Sequence, residues 1–393
     1  MSRAFIYGKP VTDPYFTDRE EESRILRAEI ENLPSETAIN LAVLGPRRVG
    51  KTFLLKNVVL DLESEKRIIP LFIDCLSMPS VRRFSGVLLE NAKKEYVEKT
   101  GDRAYLRKLE SYLKKGAAEL LLKVSRLDLS IASYLSIKIS LEDPGSDEAL
   151  IFEKALDYLE ELATSKDIYF VVFLDEFAEL AEKGGEDFIK LFRTVIQQQT
   201  RTMYVFSSSA MTYMNELVYS SKSPFYRQLK PIFIGPLPEE HARRFVKERL
   251  ALASYSIEER ALDTMMEKSN SLPDYIQRLG DSLLDTAKSD IIKEPDVLNA
   301  YEEIFVTLDP TFNLVFAKLS ENSKTYSDIL ISTAKYDRPS RIAKDAGLAA
   351  TSLPYYMSYL INLGIVKKKE PGRYGLIDPI FREWIVRKFQ PGP

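Results

Sequence analysis

The segment Gly45-Pro46-Arg47-Arg48-Val49-Gly50-Lys51-Thr52 constrains this chain more than any other, because it fits G-x-x-x-x-G-K-[ST] at every fixed position. An apolar run from Ile39 to Leu44 precedes it and reads as a buried strand, and helical FLLKNVVL follows. A polyphosphate needs many donors at close range, so such a loop wraps backbone N–H groups around the anion. Its two glycines allow the turn and the close approach. The helix beginning near Lys51 aims its positive dipole end at the same point. The residues from Gly45 to Phe53 are therefore expected to hold a nucleotide, with Lys51 reaching the β- and γ-phosphates and the Thr52 hydroxyl ligating Mg²⁺.

A second signal lies far downstream in Ile168 to Glu176, IYFVVFLDE. Six apolar residues in a row, Tyr169 to Leu174, fit a strand buried on both faces of a parallel sheet. Its carboxyl end carries two acids. In a phosphate-loop ATPase the first, Asp175, holds Mg²⁺, and the second, Glu176, polarises the attacking water. Paired acids favour hydrolysis of ATP to ADP over small-molecule kinase chemistry.

At 393 residues with a formal net charge of -3, the chain is too long for one core and its global charge favours no particular partner. Cys75 and His241 are its only cysteine and histidine, which excludes a disulfide framework and any Cys/His zinc site. No stretch approaches the roughly 18 apolar residues of a membrane span, so a cytoplasmic protein with no membrane partner is expected.

Further strands are expected at Arg67 to Asp74, Thr202 to Ser207 and Pro231 to Ile234. Two helices divided near Gly101-Asp102 fill residues 80 to 124, and a helix runs from Glu148 to Thr164 behind a Ser146 or Asp147 cap. From Leu127 to Leu141 apolar residues fall on alternate positions, which predicts a β-hairpin turning near Ala132 to Tyr134. Ser208 and Ser209 follow the fourth strand, and Ser223-Pro224-Phe225-Tyr226-Arg227 precedes the fifth. Arg227 is either an arginine finger, in cis or across a subunit contact, or a surface residue.

Residues Thr311 to Phe389 hold 13 Lys and Arg against 7 Asp and Glu. Helices at Phe312 to Leu319 and Tyr326 to Ala334, a helix and turn opened by Arg338 to Gly347, a helix at Ala350 to Gly364 and a basic two-stranded segment at Ile365 to Ile377 read as a winged helix-turn-helix. Its second helix suits a major groove and its wing suits phosphates. Yet Thr351 to Leu363 contains no Lys or Arg, so DNA binding stands beside protein docking.

These features in this order resemble the archaeal ATPase family, which lies between origin-recognition AAA+ proteins and signalling STAND ATPases. The resemblance implies an α/β fold, a P-loop AAA+-like core of five parallel strands at 1–238, with the inserted helices and hairpin at about 80–145. A helical lid at 239–305 and a winged helix at 306–393 complete it. It implies ATP or ADP and Mg²⁺ as ligands. By the same resemblance Tyr15 and Phe16, in the F-x-x-R-x-x-E pattern of Phe16, Arg19 and Glu22, lie against the adenine. Ser208 or Ser209, at the tip of the fourth strand, senses the γ-phosphate, and Pro273 packs on the base although Ser271 stands where relatives carry glycine. Two functions follow: an ATP-hydrolysing switch presenting its winged helix to DNA, or a STAND-like scaffold whose winged helix docks protein, occludes the nucleotide or supports self-association.

Overall fold

The computed structural model describes residues 4–7, 19–115, 129–369 and 372–389. Among them the core runs α1 (Glu20–Glu31), β1 (Leu41–Leu44), α2 (Lys51–Asp61), β2 (Ile68–Asp74), α3 (Val81–Thr100), α4 (Arg103–Lys115), α5 (Leu129–Glu142), α6 (Glu148–Lys166), β3 (Tyr169–Asp175), α7 (Phe177–Ile196), β4 (Thr202–Ser208), α8 (Met211–Tyr219) and β5 (Lys230–Phe233). The five strands form one parallel sheet in the order β2-β3-β4-β1-β5. Parallel pairing places all five carboxyl ends on one edge, where ligands of open α/β sheets bind. Register then decides which loops meet. Leu44 pairs with Ser208, and Leu174 with Phe206, so the segments following β1, β3 and β4 emerge side by side.

Both faces of the sheet are covered, and the strands show it by alternation. Tyr169, Val171 and Phe173 of β3 join one core with α1 and α2, while Phe170, Val172 and Leu174 join the other with α3, α6 and α7. Phe192 of α7 is fully buried at the centre of the second core, its ring 5.2 Å from Phe152, 5.4 Å from Tyr204 and 5.6 Å from Phe206.

The expected hairpin at Leu127 to Leu141 is not formed: Leu129–Glu142 is the helix α5, and Leu127 lies outside the described residues. The stretch is apolar enough to satisfy two periods at once. Ile131, Tyr134 and Leu135 are buried at helical spacing, and Ala132 to Tyr134 offers none of the Gly, Asn or Asp that a tight hairpin turn requires. The Tyr134 hydroxyl fastens α5 to α3 by donating to Glu90 Oε1 at 2.8 Å.

After the sheet come α9 (Glu239–Leu252), β6 (Ser256–Ile257), α10 (Glu259–Ser269), α11 (Pro273–Thr286), β7 (Ile291–Ile292) and α12 (Glu294–Asn322). The boundary expected between residues 305 and 306 falls inside α12, which continues through Pro310. Then follow α13 (Lys324–Lys335), α14 (Pro339–Asp345), α15 (Leu353–Asn362), an antiparallel pair of β8 (Val366–Lys368) and β9 (Tyr374–Leu376), and α16 (Pro379–Phe389). Trp384 of α16 is buried and its indole N–H donates to Asp309 Oδ1 at 2.6 Å, tying α16 to α12. Apolar side chains from Phe5 to Ile385 form one continuous cluster, so the C-terminal elements share their core with α1, α2 and the helices that follow the sheet. No described helix is long and apolar enough to cross a membrane.

Truncating Phe192 removes a ring from the middle of the aromatic cluster without touching the loops at the sheet edge. Phe192→Ala is expected to cost about 3–5 kcal/mol, read as a lower urea midpoint with the far-UV spectrum at low urea unchanged.

Candidate functional site

The site is built where the three neighbouring strand ends meet. After β1 the chain turns at Gly45, where a Cβ would lie 2.4 Å from the carbonyl oxygen of Ile234, so a side chain does not fit. The loop closes on Gly50, whose φ of +93° is left-handed and free of steric cost only for glycine. Lys51 opens α2 and is 5% exposed. Its ammonium donates to the carbonyls of Gly45 and Pro46 at 2.8 and 2.9 Å and to Ser209 Oγ at 2.9 Å. Burial lowers its pKa to about 8, against the opposing pull of Glu176 and Asp175.

The acid pair arrives from β3. Thr52 Oγ1 donates to Asp175 Oδ2 at 2.5 Å, which joins the phosphate loop to the strand that carries the acids. The other oxygen, Asp175 Oδ1, is buried and makes no hydrogen bond of ordinary geometry, although the equally unpartnered Ser207 hydroxyl is close enough to act on the carboxyl; burial raises the pKa of this carboxyl. A hydroxyl beside a carboxylate with a spare buried lone pair is the donor set that a hydrated Mg²⁺ takes at a phosphate site. Among the described residues there is no group of three or more His, Cys, Asp or Glu suited to a metal. A cation bound here would therefore complete its shell with phosphate oxygens and water.

Glu176 adopts left-handed φ and ψ of 49° and 43°, which separates its direction from that of Asp175. Its carboxylate accepts from the Ser209 amide at 2.9 Å, from Ser209 Oγ at 2.6 Å and from Ser208 Oγ at 3.2 Å. Burial alone would raise its pKa, but the Lys51 charge and the Ser209 bonds outweigh it and hold the group below the ordinary glutamate range. Glu176 is thus an ionised carboxylate at neutral pH.

A cavity of about 530 Å³ opens over these groups, a size suited to a nucleotide. Arg47, Arg48, Val49, Gly50, Lys51, Thr52 and Phe53 line it with Glu176 and Ser209, and Pro273 is among the lining residues. Of the two serine candidates, Ser209 lines this cavity and bonds both Lys51 and Glu176, while Ser208 bonds Glu176 from behind the lining. Ser271, where the resemblance expects glycine, takes a left-handed φ of +52°.

Tyr15 and Phe16 lie outside the described residues. The apolar wall contains Ile6, Tyr7, Leu237 and Phe245, with Gln277 beside them. No local motif marks these residues. They converge because Phe5 fills the notch above Gly280, where a Cβ would meet the ring at 2.3 Å. Arg249 Nε then holds the Ala4 carbonyl at 2.8 Å, and the Ile6 amide donates to Gln277 Oε1 at 2.9 Å. Arg19 has a positioning part in the structure: its guanidinium binds the Val49 carbonyl at 3.1 Å and the Gly235 carbonyl at 2.7 Å, with Glu22 at 3.2 Å, pinning the phosphate loop to the end of β5. Arg227 is not brought to the cavity of its own chain. It is exposed, with a φ of +58°, and its guanidinium lies 5.0 Å from the centre of the Tyr226 ring.

A family described as an ATPase domain predominantly from Archaea matches residues 16–279. The Walker-type ATPase of Pyrococcus abyssi superimposes with a TM-score of 0.65 at 19% identity, covering 97% of this chain and 99% of that one. ORC2 of Aeropyrum pernix, solved in ADPNP–ADP complexes, gives 0.57 at 15% identity, covering 99% and 100%. At these identities the likeness is one of fold. No curated protein matches the chain in sequence. With the phosphate loop, acid pair and parallel sheet described above, the match over residues 16–279 places this chain in the archaeal ATPase family, with an AAA+-like core.

Proposed function

We propose that the protein is a Mg²⁺-dependent ATP-hydrolysing switch whose nucleotide state governs how its C-terminal winged helix, residues 306–393, is presented to DNA. The observation that carries the hydrolytic part is the junction of Thr52 with Asp175 beside a Glu176 that is held ionised within one cavity with Lys51. In this reading the loop amides and Lys51 bind the β- and γ-phosphates, and Lys51 leaves the Gly45 and Pro46 carbonyls to do so. Thr52 and Asp175 hold Mg²⁺, which when bound neutralises charge on the phosphates and fixes their orientation. Glu176 accepts the proton of a water that attacks the γ-phosphorus as the bond to the β–γ bridging oxygen breaks, giving ADP and phosphate. Ser209 and Ser208 aim that carboxylate, and Ser209 also bonds Lys51, so the γ-phosphate and the base are read by one turn.

The adenine lies between Pro273 and the Ile6–Tyr7 wall. Arg227, exposed and absent from the lining of its own chain's cavity, is assigned to a neighbouring subunit's nucleotide in this reading.

For DNA, support comes from charge and exposure. Arg338, Arg341 and Lys344, and Lys367, Lys368 and Lys369 in and just after β8, are all exposed. A second reading, a STAND-like scaffold, is favoured by one contact: α15 packs against α8 of the core, and a Cβ on Gly364 would lie 3.0 Å from the Ser209 carbonyl. Part of the helix that would enter a groove is turned toward the ATPase core.

Glu176→Gln is expected to keep ATP binding while lowering turnover by roughly 10²–10⁴-fold, whereas Lys51→Ala abolishes binding; phosphate release and fluorescent-nucleotide titration separate the two. Turnover of Glu176→Gln at the wild-type rate would overturn the assignment. Duplex DNA binding should weaken with salt, and the combined Lys367→Ala, Lys368→Ala and Lys369→Ala variant should flatten the log–log salt slope by about 0.9 for each phosphate that the wing no longer neutralises. DNA binding absent in every nucleotide state, with a protein partner co-purifying instead, selects the scaffold reading.

A further inference from the structure

One arginine of the phosphate loop is held by carboxylates from outside the loop. Arg48 takes a left-handed φ of +71°, which turns its side chain out of the loop's own path. Its Nη1 lies 2.6 Å from Asp274 Oδ2 and its Nε 3.1 Å from Asp378 Oδ2. The guanidinium also sits 4.7 Å from the centre of the Tyr275 ring, and the Tyr275 hydroxyl donates to Asp378. Arg278 Nε shares the Asp274 oxygen at 3.0 Å. Asp274 belongs to the first turn of α11, and Asp378 immediately precedes α16. The loop, the helices after the sheet and the C-terminal unit therefore meet on a single cation.

Two features make this junction answer to the cavity. Arg48 and Asp274 line the same cavity as Lys51 and Thr52. The three charged side chains are each about a quarter exposed, at 23%, 23% and 22%, so their attraction is less screened than at an open surface. Resting on the nucleotide-site reading above, we propose that Arg48 is a latch between nucleotide and C-terminal unit. It clamps the C-terminal unit to the phosphate loop through Asp378, and a polyphosphate entering the cavity competes for the guanidinium while bringing negative charge beside Asp274 and Asp378. Nucleotide binding thus loosens the docked unit. Because coupling is reciprocal, the closed clamp weakens nucleotide binding by the same factor by which nucleotide weakens the clamp, so opening the clamp from its Asp378 side tightens nucleotide binding.

Asp378→Asn removes the charge that Arg48 grips, together with the acceptor of the Tyr275 hydroxyl. Asp378 Oδ1 accepts from the Ile380 and Phe381 amides at 3.0 Å each, capping α16, and asparagine retains that cap while removing the charge. Two readouts are needed on the full chain: affinity for ADP and ADPNP in Mg²⁺ by titration, and hydrogen exchange across residues 353–389. In the wild type, either nucleotide should raise exchange in that segment. Asp378→Asn should bind both nucleotides at least about five-fold tighter, the lower end of typical couplings, and should show the raised exchange without nucleotide. Arg48→Gln, which breaks the clamp from the other side, should also show raised exchange without nucleotide. Asp337→Asn, which breaks only the exposed pair with Arg373, should move neither readout. Nucleotide that binds the wild type without raising exchange, together with an Asp378→Asn affinity within two-fold of it, would overturn the latch. A flat wild-type titration would instead overturn the nucleotide-site reading, and the latch with it.

Discussion

The hydrogen bond from Thr52 to Asp175 is the contact on which the site depends, since it joins a helix start and a strand end 123 positions apart. Neither residue could reach the other without the parallel register that places the end of β1 beside β4 and β4 beside β3. The sheet is therefore a positioning device, and its two hydrophobic faces supply the free energy that holds it. Burying Lys51 with two carboxylates would be costly if any charge were left alone. Loop carbonyls satisfy Lys51, and Ser208 and Ser209 satisfy Glu176, so the unfilled demand at the site rests on Asp175 Oδ1 and the Ser207 hydroxyl.

The same need explains the surroundings of the loop. Arg19 stitches it to the end of β5, and Arg48 stitches it to Asp274 and Asp378. A phosphate loop must hold its amides in place before the anion arrives, and backbone glycines cannot do that alone because they are the most mobile residues available. Two buried or half-buried guanidiniums fix what the glycines leave free. The two tethers differ in consequence: Arg19 ties the loop to the core, whereas Arg48 ties it to elements that carry the C-terminal unit.

The helices after the sheet and the C-terminal elements behave as neighbours within one packing unit. The helix α12 runs through the boundary drawn from the change in composition, and apolar side chains continue from one side to the other. Composition marks a change of charge on the surface, and the surface does not record where a helix ends. The contact of Gly364 with the Ser209 carbonyl then brings the C-terminal unit against the turn that holds Glu176.

The phosphate loop, the acid pair and the five strands were legible in the sequence because each is local: fixed glycine spacing, or an unbroken apolar run doubly buried in a parallel sheet. The hairpin failed because Leu129, Ile131, Leu135, Ile137, Ile139 and Leu141 alternate like a strand while Ile131, Tyr134 and Leu135 also share a helical face, and the small serines between them suit either period until a neighbour chooses the buried face. Ile6, Tyr7, Phe245 and Gln277 carry no motif. They become one wall only when Phe5 seats over Gly280. Arg48 was named for its place in the loop, but its partners Asp274 and Asp378 lie more than 200 positions away in chain order. Short-range spacing thus determined the chemistry of the phosphate site, while the long-range packing of the N-terminal segment, α11 and α16 decided what surrounds that chemistry, because contacts between distant segments leave no spacing to read.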